Sequence, residues 1–91
     1  MDPKACVQRW LDAMDDDDWE EFEAAAEDYN DWVGRGGFPV KGTLDSGLVY
    51  TIWGLSGDNH DGVAMSPVQV GDAEENTFVT PHVIGEILAA A

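Results

Sequence analysis

Ten carboxylates fall in the seventeen positions from Asp15 to Asp31, DDDDWEEFEAAAEDYND, and no Lys or Arg lies among them. Charge of one sign at this density opposes compaction, so the segment joins a fold only if it also has an apolar side to bury. The intervening residues supply one. At ~100° per residue, Trp19, Phe22, Ala25, Ala26, Tyr29, Trp32 and Val33 fall in a single arc. Glu20, Glu21, Glu23, Glu27, Asp28 and Asp31 fill the opposite arc. The pattern predicts a helix with an aromatic face and an acidic face. Consecutive Asp residues are poor helix interior but good caps. The chain is therefore expected to turn at Asp15-Asp16 and to start the helix near Asp17. Asp17 with Glu20, and Asp18 with Glu21, have capping-box spacing. Gly34 is placed as the C′ residue, and Gly36-Gly37 stop the helix.

A shorter helix precedes this one. Asp2-Pro3 is an N-cap followed by proline at N1, and Val7, Trp10, Leu11 and Met14 recur at helical spacing over about residues 3–14. After Gly37 the period drops to two. Phe38–Thr43 reads as a short strand, with Pro39 pointing to an edge. Gly47–Leu55 is the strongest strand. Leu48, Tyr50 and Ile52 share one side, and Val49, Thr51 and Trp53 the other. Both sides are apolar, so the strand is expected to be central and largely covered. Residues 57–62 (GDNHDG) are turn chemistry, 62–70 return as a strand interrupted by Pro67, and 77–79 add a few strand residues. Thr80-Pro81 repeats the helix-start signal, and Val83, Ile84, Ile87 and Leu88 give a third helix its stripe. The expected fold is a single α+β domain over residues 1–91. Two N-terminal helices and a short C-terminal helix pack on one face of an antiparallel sheet of about three strands. The other sheet face is left as a second surface.

Size and charge bound the function. A chain of 91 residues buries about 60–65% of its unfolded surface, enough for one modest core. Nineteen acids against four bases leave −15. Residues 1–31 carry −10 of this (twelve acids, two bases) and residues 32–91 carry −5 (seven acids, two bases). Such a field repels nucleic acid and anionic lipid and attracts basic surfaces. Cys6 is the single cysteine, so no internal disulfide forms and no oxidising compartment is implied. No apolar run reaches the ~18 residues of a membrane span. MDPKACVQRW lacks the apolar core of a signal peptide, so a cytoplasmic location is expected.

Candidate chemistry is sparse. An EF-hand loop starting at Asp16 would place Glu21 where the turn glycine belongs, although Glu27 stands at the twelfth position. Asp58, His60, Asp61 and His82 could form a small metal site but lack recognisable zinc spacing; turn formation explains Asp58–Gly62 better. Lys4 and Arg9 near Cys6 favour a mildly lowered thiol pKa, against the plainer role of a small buried hydrophobe. GRGG at 34–37 lacks the strand before it and the Lys-Ser/Thr after it that a phosphate loop needs. No catalytic residues, metal or cofactor are expected.

The acidic face carries the functional reading. If fully helical, Asp15–Asp31 spans about 25 Å, which is one charge per roughly 2.5 Å against about one per 1.7 Å in duplex DNA. Carboxylates accept paired Arg as phosphates do. Ordinary solvated helix faces mix signs for i,i+4 pairing, and this run has no cation. In size and in this run the chain resembles the small acidic phage proteins that inhibit host defence, including DNA-mimicking anti-restriction and anti-CRISPR proteins. The resemblance implies a nuclease or surveillance complex as partner, met in the host cytoplasm, with its Lys/Arg-lined channel blocked. The expected partner-binding residues are Asp15, Asp16, Asp17, Asp18, Glu20, Glu23, Glu27 and Asp31. Trp53 is added as an exposed anchor beside the ridge. Direct nucleic-acid or membrane binding is not expected, and a homodimer is left open. The competing expectation is a halophile or virion protein whose acids serve solubility, in keeping with twelve Asp to seven Glu and two Lys; it would scatter its acids over the whole surface.

Overall fold

The computed structural model describes residues 2–58 and 64–91. In chain order these form α1 (Pro3–Asp15), α2 (Trp19–Gly34), β1 (Lys41–Thr43), β2 (Val49–Ile52), β3 (Ser66–Val70), β4 (Thr77–Val79) and α3 (Pro81–Ala90). The fold is α+β as expected, with four strands where about three were anticipated. The strands run in the order β1-β2-β3-β4, and each neighbouring pair is antiparallel.

The helix ends follow local chemistry. The Asp2 carboxylate accepts the Lys4 and Ala5 N–H groups at 3.0 and 3.3 Å, which caps α1. At the other end, the Asp18 N–H donates to the Ala13 carbonyl and the Asp17 N–H to that of Met14. This is a Schellman closure with Asp17 at C′, left-handed at φ 55. Asp18 then caps α2, accepting the Glu21 N–H at 3.3 Å. The expected start near Asp17 is thus displaced, because Asp17 is used to end α1. A second Schellman closure ends α2: Gly37 donates to Trp32 and Gly36 to Val33. Gly36, at φ 89, holds the left-handed position in place of Gly34, which is still helical.

One core joins the elements. Val7 and Trp10 of α1, Phe22, Ala25, Ala26 and Tyr29 of α2, Ile84 and Ile87 of α3, and Val40, Ile52 and Val68 from the sheet side are buried together. Trp10 and Phe22 stack with ring centroids 5.1 Å apart. The Trp10 indole donates to the Ser56 carbonyl at 2.9 Å. Gly42 lets α3 close on β1, since a Cβ there would lie 2.3 Å from the Ile87 carbonyl oxygen.

Polar side chains of α2 complete the sheet. Val40 and Ile52 face each other across β1 and β2. Ile52 donates to Val40 directly at 2.9 Å. The Tyr29 hydroxyl is spliced into the return bond: it accepts the Val40 N–H at 2.9 Å and donates to the Ile52 carbonyl at 2.7 Å. Next to it, the Asn30 amide pairs with both main-chain groups of Leu55, at 2.8 and 2.9 Å. Two successive residues of α2 therefore read the backbone of β2 and its continuation as a neighbouring strand would.

Two expectations for the sheet are corrected. β2 is central but only partly covered: Ile52 and Thr51, on opposite sides, are buried, while Val49 and Trp53 on the side turned from the helices are 42% and 40% exposed. Pro67 lies inside β3 without interrupting it. Trp53 donates to the Pro67 carbonyl at 3.0 Å, so the proline nitrogen also faces β2 and only one ladder bond is lost. Asn59, His60, Asp61 and the first two residues of the anticipated 62–70 strand, Gly62 and Val63, lie outside the described residues.

Candidate functional site

The ridge is built by helix geometry. Viewed down α2, Phe22, Ala25, Ala26 and Tyr29 point into the core. Glu20, Glu23, Glu27 and Asp31, at i, i+3, i+7 and i+11, point directly away from it and are exposed. Successive carboxylates in that stripe rise by about 4.5–6 Å along the axis. Asp15 ends α1, Asp16 is its C-cap, Asp17 is the left-handed reversal and Asp18 caps α2. All four are exposed. The site is therefore a knot of four Asp at the N-terminal end of a row of four carboxylates, in place of one continuous acidic helix. Asp17 and Asp18 sit at the positive end of the α2 dipole, which favours them, whereas Asp15 and Asp16 sit at the negative end of α1, which does not.

The ridge is less one-signed in space than along the chain. Arg9 of α1 pairs with Glu21 and, at 2.9 Å, with Asp28. Arg35 pairs with Asp31 at 2.9 Å, one turn on. Three of the ten carboxylates thus meet a cation supplied from outside the run. Glu21 and Asp28 stand seven residues apart on the flank of α2 that meets α1. The sequence shows their heptad spacing on one flank; that Arg9 lies opposite that flank is set by how α1 packs on α2. Asp15, Asp16, Asp17, Asp18, Glu20, Glu23 and Glu27 enter no ion pair among the described residues.

Trp53 stands apart from the ridge. It alternates with Ile52, whose carbonyl meets Tyr29 of α2, so its ring lies on the sheet face turned away from the helices. There the indole donates to Gln69 at 3.3 Å. The ridge and Trp53 are thus two surfaces on opposite sides of the sheet.

The other candidates resolve by position. Residues 19–34 are helix, so no calcium loop runs from Asp16. Asp58 borders a cleft with Trp19, Phe22 and Glu23, whereas His82 borders a groove between α1 and α3 with Gln8, Leu11 and Asp15. The structure does not bring them together, and His60 and Asp61 lie outside the described residues. Among the described residues, no three His, Cys, Asp or Glu side chains group to hold a metal ion. Cys6 is buried, its thiol donating to the Ala25 carbonyl at 3.2 Å. Burial pushes its pKa up, outweighing the lowering by Arg9; the role of small buried hydrophobe holds, and the lowered thiol pKa set against it does not. No described helix is long and apolar enough to cross a membrane.

Compared with protein-family models, curated proteins and solved structures, the chain matches none.

Proposed function

We propose that the chain is a non-catalytic acidic binding protein whose ridge occupies a basic nucleic-acid-binding surface of another protein. The observation that carries this reading is the row Glu20, Glu23, Glu27 and Asp31, held away from the core on a capped helix and continued by the knot Asp15–Asp18. A row on a capped helix is pre-organised for a channel lined with Arg and Lys in its backbone, which has little freedom left to lose on docking; the exposed carboxylate side chains still have rotamer freedom to lose. Steering by the net charge of −15 speeds the encounter and makes it salt-dependent. The partner class is a nuclease or surveillance complex of a bacterial defence system, and the chain acts as a phage-type inhibitor in the manner of anti-CRISPR and anti-restriction DNA mimics.

The test is competition with duplex DNA for a panel of restriction and CRISPR nucleases, using the native chain and the variant Glu20→Lys, Glu23→Lys, Glu27→Lys. The native chain is expected to displace DNA with a steep salt dependence and the variant to fail. Equal displacement by both sinks the reading.

A second reading is favoured by the acids elsewhere. Asp2, Asp12, Asp45, Asp72, Glu74, Glu75 and Glu86 are exposed outside the ridge, as a solubility role in a halophile or virion requires. Stability that depends on molar KCl is the signature of that alternative.

A further inference from the structure

The sheet has two edges of different character. Ladder bonds define which main-chain groups each edge leaves outward. Trp53 donates to Pro67 and Gly71 to Val49, so Pro67, Gln69 and Gly71 turn their main-chain groups toward β2. Ser66 and Val68 then face β4, where they meet Val79 and Thr77. By the same alternation, Phe78 turns both its N–H and its carbonyl to the open edge. At β1 the outward residues are Lys41 and Thr43. Lysine on an edge, with Pro39 just before it, blunts that edge against further pairing. Among the described residues β4 carries no such guard; its central residue is Phe78, 61% exposed.

The face beside the β4 edge is apolar and rimmed by acids. Trp53, Pro67 and Phe78 stand in one row across three strands, with Met65 and Val49 also exposed on that face. Gln69 ties the β3–β4 loop to it: the amide donates to the Ala73 carbonyl at 2.9 Å while accepting the Trp53 indole. The loop carries Asp72, Glu74 and Glu75, all exposed. None of the three enters an ion pair among the described residues. A second copy of the chain brings the same carboxylates to this edge and is repelled; a cationic segment is attracted.

We infer that the open β4 edge, with the row Trp53–Pro67–Phe78, seats an extended basic and apolar segment of a partner protein as a fifth strand. Main-chain bonds to Phe78 supply the pairing, alternate apolar side chains cover Phe78 and Trp53, and Lys or Arg meet Asp72, Glu74 and Glu75. This surface lies across the sheet from the α2 ridge and does not depend on the ridge reading.

The probe is a capped hexapeptide of alternating Lys and Val, with the Glu and Val counterpart as control, titrated by NMR into the isotope-labelled full chain. The Lys peptide is expected to shift the amides of 76–80 and the Trp53 indole and to slow hydrogen exchange at the Phe78 amide, while the Glu peptide does not. Phe78→Ser should weaken binding about tenfold, and the ridge variant Glu20→Lys, Glu23→Lys, Glu27→Lys should leave the shifts at 76–80 in place. Four results overturn the inference: no shift at 76–80, shifts confined to α2, equal binding of the Glu peptide, or a Phe78 amide already protected in a dimer of the free protein. Because the ridge variant separates the two surfaces, failure here is distinguishable from failure of the ridge to displace DNA.

Discussion

Burial of the Tyr29 phenol pushes its pKa from the ordinary 10.0 up to about 12, against a smaller lowering by the Val40 N–H. The folded state therefore holds the proton more tightly than the unfolded chain. The stabilisation this represents is present below pH 10 and is lost as pH rises toward about 12. Tyr29→Phe is expected to cost about 1–3 kcal/mol near neutral pH, since it removes the bridge between Val40 and Ile52. It should also flatten the decline of stability in that alkaline window, as urea melts at a series of pH values would show. An unchanged alkaline limb in the variant would assign the decline to other groups. Cys6 gives a second expectation: with its thiol buried and its pKa raised, it should resist alkylation in the folded protein and react at an ordinary rate in urea. Tyr29 was legible only as a core aromatic, because helical periodicity reports which side of α2 it occupies. It does not report which carbonyl lies at the end of the ring. For Cys6 the buried-hydrophobe reading holds, while the lowered thiol pKa weighed against it fails, since sequence proximity to Lys4 and Arg9 carries no information about desolvation.

The reversal between α1 and α2 places Asp17 in a conformation that costs an L-residue about 1–2 kcal/mol relative to glycine. Asp17→Gly is therefore expected to raise stability by about 1 kcal/mol, helped by the removal of one charge from the knot. Asp16→Gly, with φ −89 at the C-cap, should give no such gain; melting temperatures of the two variants decide it. The α3–β1 contact makes a sharper contrast. Gly42→Ala drives a methyl into the Ile87 carbonyl and should cost about 2–3 kcal/mol. Gly34→Ala meets nothing within 4 Å and should be neutral or stabilising. Helix existence, the Asp2 and Asp18 caps and the edge position of β1 were all readable, because capping and periodicity act within a few residues. The exact use of Asp17 was not, because Asp serves equally as N-cap and as left-handed C′. The choice depends on how α1 must turn to lay its Trp10 against Phe22.

A charge of −15 on a domain this small sets its response to salt. For a chain whose acids serve docking, the melting temperature should rise from very low salt to about 0.15 M, as repulsion within the Asp15–Asp18 knot is screened, and then level off. A fold that forms only at molar KCl would favour the solubility reading and weaken the case for the ridge. The amino-acid sequence by itself determined the class of fold, the three helices, the exposed stripe Glu20–Asp31 and the lopsided charge, since each follows from local periodicity and composition. Tertiary structure alone decided that Arg9 pairs with Glu21 and Asp28, that Tyr29 and Asn30 stand in for a strand, and that Trp53, expected as an exposed anchor beside the ridge, lies across the sheet from it. Those outcomes depend on how elements distant in the chain cross and pair. A residue's neighbours across that packing are set by the angle and register of whole elements, which no stretch of sequence around the residue contains.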